Sequence, residues 1–146
     1  MLRGLDYPPI WLLGFVALAY GQSVLVPLPS GFGYWPGTVL AVLGVALMAL
    51  ALPHFLRART TFVPHRAPSA LITGGLYRLS RNPIYLGDVL VLVGLICRWG
   101  AWPSLVLVPL FMAVITRRFI LPEEARLRAA FGAEFDDFAA RVRRWI

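Results

Sequence analysis

The stretch "GGLYRLSRNPIYLGD", Gly74 to Asp88, decides how the rest of the chain is read. It sets two arginines, two tyrosines and an asparagine against the start of an apolar run that begins at Ile84. Pro83 suits a first helical turn, because its missing N–H would be unpaired there in any case. Asn82 or Ser80 is a candidate cap for that helix. A helix starting here aims free backbone N–H groups and a positive partial charge at the polar stretch, an arrangement that suits a carboxylate or a phosphate. Tyr77 and Tyr85 add aromatic faces for a flat ring or a cation. The plainer reading is a well-capped transmembrane helix with an interfacial tyrosine. Asp88 falls about one turn inside the run, where it either lines the mouth of a site or pairs with a nearby arginine.

Outside this stretch the chain is apolar. Of its 146 residues 59% are hydrophobic and 14% charged, against roughly 25% charged in soluble domains. A bilayer is the expected solvent. The net charge is +7 and every basic side chain is an arginine. The arginines stand between greasy runs instead of covering a soluble face, which excludes a nucleic-acid partner. The single cysteine, Cys97, excludes an internal disulfide and a cysteine metal cluster. His54 and His65 are too few for a zinc site, so no metal is expected, and both read as interfacial fillers. No cleavable signal peptide is evident ahead of the first run.

Four apolar runs follow one another: Ile10 to Val26, Trp35 to Leu56 with Pro53 inside, Ile84 to Cys97, and Ala101 to Thr116 with Pro109 inside. A bilayer core asks for about 20 apolar residues in a helix. The first two runs meet this. The third is short, and the fourth becomes adequate if Phe119 to Leu121 extend it past Arg117 and Arg118. The last two runs read as a hairpin turning at "RWGAWPS", with Trp99 and Trp102 at the far interface. The expected fold is therefore all-α: about four transmembrane helices and a C-terminal amphipathic helix on the cytoplasmic side. With four spans, thirteen of the fourteen arginines fall on one side, and only Arg98 on the other. The positive-inside rule makes that side cytoplasmic, with both termini there, in a bacterial inner membrane.

The connection from Arg57 to Asn82 is long for a link between helices and carries Pro64, Pro68, Gly74 and Gly75. After Pro122, the residues Leu127, Phe131, Phe135, Phe138 and Val142 recur at helical spacing and predict one amphipathic helix. Glu123 and Glu124 fall in its first turn; Arg141, Arg143 and Arg144 fall in its last, as the helix dipole favours. Gly132 is the weak point of that helix. Arg117 and Arg118 are topology anchors by position, and either is also able to grip a carboxylate in two-pronged fashion.

In order and distance, "SALITGGLYRLSRNPIYLG", a helical hairpin and "EEARLRAAFGAEFDDFAARVRRWI" resemble the membrane-embedded isoprenylcysteine carboxyl methyltransferases and their phospholipid methyltransferase relatives. The resemblance covers roughly residues 60–146, the first two spans matching only in hydrophobicity. It implies one domain, with two N-terminal spans (1–56) and a cofactor-binding core (57–146). It also implies S-adenosyl-L-methionine as methyl donor, contacted by Ser69, Ala70, Leu71, Ile72, Tyr77, Asn82, Pro83, Ile84, Tyr85 and Glu123. Two positions depart from the family. Asn82 stands where better-known members carry His, and keeps a donor and an acceptor without the option of a positive charge. Phe119 stands where prenylcysteine enzymes carry the arginine that engages the substrate, with Arg117 and Arg118 adjacent as the candidate acceptor-orienting residues.

The expected activity is methyl transfer to a lipophilic acceptor arriving from the membrane. The resemblance implies O-methylation of an isoprenylcysteine-like carboxylate, with phospholipid N-methylation as the alternative. A carboxylate acceptor arrives ionised, whereas an amine must lose a proton. Two further readings compete: an NADPH-dependent reductase of the sterol-reductase type, and a non-enzymatic scaffold whose arginine-rich tail binds anionic headgroups. The sequence does not speak to oligomeric state.

Overall fold

A computed structural model describes residues 6–57 and 70–146. Among them all the regular secondary structure is helical, with no strand. Helix α1 spans Pro8–Leu25, α2 Tyr34–Arg57 and α3 Pro83–Arg98. Helix α4 spans Leu107–Ile115, α5 Leu121–Phe131 and α6 Ala133–Arg141. The first three fall within two residues of the apolar runs, because proline, glycine and polar residues bracket each run.

Among the described residues, three segments are long and apolar enough to cross a membrane: Pro8–Leu25, Gly31–His54 and Trp102–Phe131. Helix α3 has 16 residues, so it reaches only ~24 Å at 1.5 Å per residue, against ~30 Å of hydrocarbon. The expected four-span count thus comes out as three full-length helices and one shorter helix. That shorter helix is the buried one. Gly87, Asp88, Val89, Leu92, Gly94 and Ile96 are all buried, whereas α1 buries only Phe15 and Ala19. Helices α1 and α2 instead expose Leu13, Leu18, Val24, Val39, Val42 and Leu50, side chains for which lipid tails are as good a solvent as a protein core.

The main core gathers Phe15, Leu92, Ile96, Phe111, Ile115 and Ile120, with Phe15 and Phe111 edge to face at 5.3 Å. The most extensive helix pair is α2 with α3. It is closed by glycine: a Cβ on Gly44 would sit 2.6 Å from the Gly87 carbonyl, and one on Gly94 2.6 Å from that of Gly37.

At one end of the bundle the predicted hairpin turns between α3 and α4. The Trp102 indole donates to the Pro29 carbonyl (3.1 Å), and Trp99 packs edge-on against Tyr20. Arg98 donates to Thr38 and lies 4.3 Å over the Tyr34 ring, so the isolated arginine of this end is held by an aromatic face and a hydroxyl.

The C-terminal third departs from expectation in three ways. Pro122 does not begin a separate helix. A single helical rod runs from Trp102 to Phe131, passing through a π turn at Thr116–Ile120. The cause is local: Pro122 has no N–H for the Arg118 carbonyl, and its ring crowds that carbonyl, so the backbone widens there. The amphipathic helix then breaks at Gly132, whose φ of 52° is left-handed and cheap only without a side chain. Leu127, Phe131, Phe135, Phe138 and Val142 still form one stripe, packed with Leu71, Ile72 and Tyr77. Arg143 and Arg144 lie beyond α6 instead of in its last turn.

Candidate functional site

At the end of the bundle opposite the α3–α4 hairpin, three polar segments meet: residues 70–82, the start of α3, and α5 with the chain after α6. The connection first runs through Ala70, Leu71 and Ile72 without regular secondary structure, then makes a 3-10 turn at Gly75–Arg78. Gly75 has φ 60° and lies under the His54 imidazole, where a Cβ would come within 2.6 Å of Nε2. This pins the end of α2 to the turn and directs Tyr77 inward. Tyr77 is buried against Phe135 and Phe138; burial first, and the nearby Glu123 carboxylate second, push its phenol well above the usual range. It is a neutral hydrogen-bonding group at any physiological pH.

Asn82 occupies the N-cap position of α3, but its side chain does not cap the helix. Its amide donates to the Arg144 carbonyl at 2.9 Å, and the Arg81 N–H donates to the Arg143 carbonyl at 3.0 Å. The Ser80 hydroxyl accepts from the Asn82 N–H at 3.1 Å. The chain after α6 is thus strapped across the mouth of α3. Trp145 anchors the strap by packing on the main core.

The strap is locked by charge. The Arg144 guanidinium donates two parallel bonds of 2.8 Å to the Glu124 carboxylate, the two-pronged geometry that makes such pairs strong. Arg81 approaches the same carboxylate at 3.4 Å. Glu124 is only 9% exposed. Its hydrogen bonds push the Arg144 guanidinium upward, while burial lowers that of Arg81 against the pull of Glu124. Arg128 and Asp136 pair at 2.8 Å across the Gly132 break, but both are exposed and contribute little.

Glu123 is half-buried and stands apart from this lock. It lies within electrostatic range of Tyr77 on the 3-10 turn and of Tyr85 on α3, and Arg126 lies within range of both Glu123 and Tyr85. Tyr77, Tyr85 and Glu123 are therefore neighbours drawn from three segments, with Arg126 near Glu123 and Tyr85. On the Tyr77 side a groove of about 300 Å³ opens between Thr73, Arg78, Phe138, Arg141 and Val142.

Of the residues singled out from the sequence, Tyr77, Tyr85 and Glu123 come together. Leu71 and Ile72 pack with Tyr77. Pro83 is the buried first residue of α3, and Ile84 is half-buried after it. Ser69 lies outside the described residues. Arg117 and Arg118 are exposed on the π turn. Arg118 faces the start of α1, 3.6 Å from the Asp6 carboxylate and 5.1 Å over the Trp11 ring. Arg126 was not singled out, although its spacing of three from Glu123 places both on one helix face. The Arg81–Glu124–Arg144 lock was also missed, since nothing in sequence joins positions so far apart.

Together these features define a polytopic helical membrane protein with an aromatic, mixed-charge candidate site at one end. The chain belongs to the phospholipid methyltransferase family, whose model matches residues 32–134, from the turn before α2 into the start of α6. It is by family a membrane-embedded methyltransferase. No curated protein and no solved structure matches the chain.

Proposed function

We propose that the protein transfers a methyl group from S-adenosyl-L-methionine to the amine headgroup of a phospholipid. The proximity of Tyr77, Tyr85, Glu123 and Arg126 carries this reading. The donor is zwitterionic at its amino-acid end, flat at its adenine and hydroxylated at its ribose. Arg126 offers a partner for its carboxylate, Glu123 an acceptor for its ribose or ammonium, and the two tyrosines aromatic faces. When bound, its sulfonium supplies an already activated methyl group. The residues around it bind, orient and exclude water, which is catalysis by proximity.

The amine acceptor is favoured over a prenylcysteine carboxylate by what replaces the acceptor-binding arginine. Phe119 is 8% exposed and lies in the main core, so that position offers no cation to a substrate. Arg118, the nearest substitute, is engaged by Asp6 and Trp11. The arginine-rich end would face the cytoplasm, where the donor is made, and the lipid would enter sideways past α3 and α5.

The test is incubation of the purified protein with methyl-labelled donor in vesicles of phosphatidylethanolamine, and separately with a prenylcysteine analogue. N-methylated phosphatidylethanolamine is expected. A labelled methyl ester of the prenylcysteine, with no labelled lipid, would replace this reading with O-methylation. Glu123→Gln is expected to weaken donor binding about tenfold to a hundredfold, read by calorimetry, as loss of a hydrogen bond to a charged group costs roughly 1.5–3 kcal/mol.

A further inference from the structure

Helix α3 carries one carboxylate, and the site described above does not use it. Asp88 is 5% exposed, a turn beyond the mouth of the helix. Its neighbour Gly87 is pressed against Met48 and the Gly44 carbonyl of α2, so Asp88 projects off the α2 contact line. Tyr85, one turn earlier, lies within range of its charge. Among the described residues, Asp6, Glu124 and Asp136 each pair with an arginine, and Asp88 pairs with none. A carboxylate inside a spanning bundle is costly and usually marks a proton or substrate path. An anionic acceptor would be repelled by it; a cationic one would supply its missing partner.

We propose that Asp88 is a catalytic residue that receives the primary or secondary ammonium headgroup of the acceptor lipid and takes its proton. This rests on the N-methylation reading above and adds the group that makes an amine acceptor reactive. The N–H proton passes from the ammonium nitrogen to the Asp88 carboxylate. The freed lone pair attacks the methyl carbon of the sulfonium donor. The new N–C bond forms as the C–S bond breaks, and that electron pair remains on sulfur as a neutral thioether. The product nitrogen carries the positive charge, and the proton on Asp88 is released to water at the arginine-rich end before the next cycle.

The experiment compares wild type, Asp88→Asn and Asp88→Glu as full chains in vesicles. The acceptors are phosphatidylethanolamine and an analogue whose fluorinated aminoethyl headgroup is neutral at assay pH. Asp88→Asn should slow transfer to phosphatidylethanolamine about a hundredfold or more, the usual contribution of a general base. It should slow transfer to the neutral analogue far less, with the donor's dissociation constant unchanged by calorimetry. Asp88→Glu should recover part of the rate. Equal loss on both acceptors, weakened donor binding, or a wild-type rate in Asp88→Asn would each overturn the assignment while leaving N-methylation standing. A wild-type protein that binds donor yet methylates no amine would overturn the N-methylation reading itself, and Asp88 with it.

Discussion

Glu124→Gln is expected to lower the stability of the detergent-solubilised protein by about 3 kcal/mol, the low end of the cost of breaking a buried ion pair from one side. The substitution keeps the shape of the side chain but removes its charge. Two guanidiniums are then left facing each other, and the Arg81 side chain is only 13% exposed. Its Nε is already buried without a hydrogen-bond partner among the described residues, so Arg81 has little else to turn to. The low end applies because the Arg144 side chain is 36% exposed and water takes over part of its solvation. The measurement is a thermal-unfolding midpoint, with limited proteolysis of the C-terminus as the local readout: the strap over Ser80–Asn82 should become cleavable first. Arg144→Gln should cost less than Glu124→Gln, since it leaves the carboxylate with Arg81. The double variant should cost less than the two single changes added together, because both break one interaction. Full additivity would mean that the lock is not a unit.

Glu123 and Glu124 show where the sequence stops being readable. They are adjacent, chemically alike, and both in the first turn of an apparent helix. One belongs to the candidate site and the other to a lock, and the difference arises from partners 20 and 43 positions away. Hydrophobic runs behave otherwise. Their ends are set by Pro8, Pro83 and the glycine and tryptophan around residue 100, all local signals, so α1, α2 and α3 could be placed closely. Tyr77 and Tyr85 were also legible, through the polar stretch that holds them. The strap was not, because Asn82 looks like a helix cap and is one by position. Only the fold shows its amide turned to the Arg144 carbonyl. The π turn escaped notice too, since a proline after two arginines reads equally well as a helix start.

Gly94→Val is expected to be the most damaging single change in the spans. Gly37 and Gly44 on α2, and Gly87 and Gly94 on α3, are each seven residues apart, the repeat that keeps one face of a helix toward its partner when the two wind in a left-handed supercoil. The spacing was there to be read in the sequence; what it meant required knowing that α2 and α3 are neighbours. A Cβ on Gly94 would lie 2.5 Å from the Ala41 amide nitrogen and 2.6 Å from the Gly37 carbonyl. Both are backbone atoms in the middle of a helix and cannot swing aside as a side-chain tip would. The helices must part instead, and overpacking of this kind costs roughly 1–3 kcal/mol even where side chains can adjust. Here the upper figure or more is expected, read as a lowered unfolding midpoint and poor recovery in the folded fraction. Parting α3 from α2 would also move Tyr85 and Asp88 against α5, so protein that does fold should bind donor more weakly. Gly14 provides the control. It is in a spanning helix too, but nothing lies within 4 Å of where its Cβ would be, and Gly14→Ala should be neutral or slightly stabilising, since alanine is the better helix former by about 1 kcal/mol. If Gly94→Ala behaved like Gly14→Ala, the close backbone approach of α2 and α3 would not be what holds the bundle together.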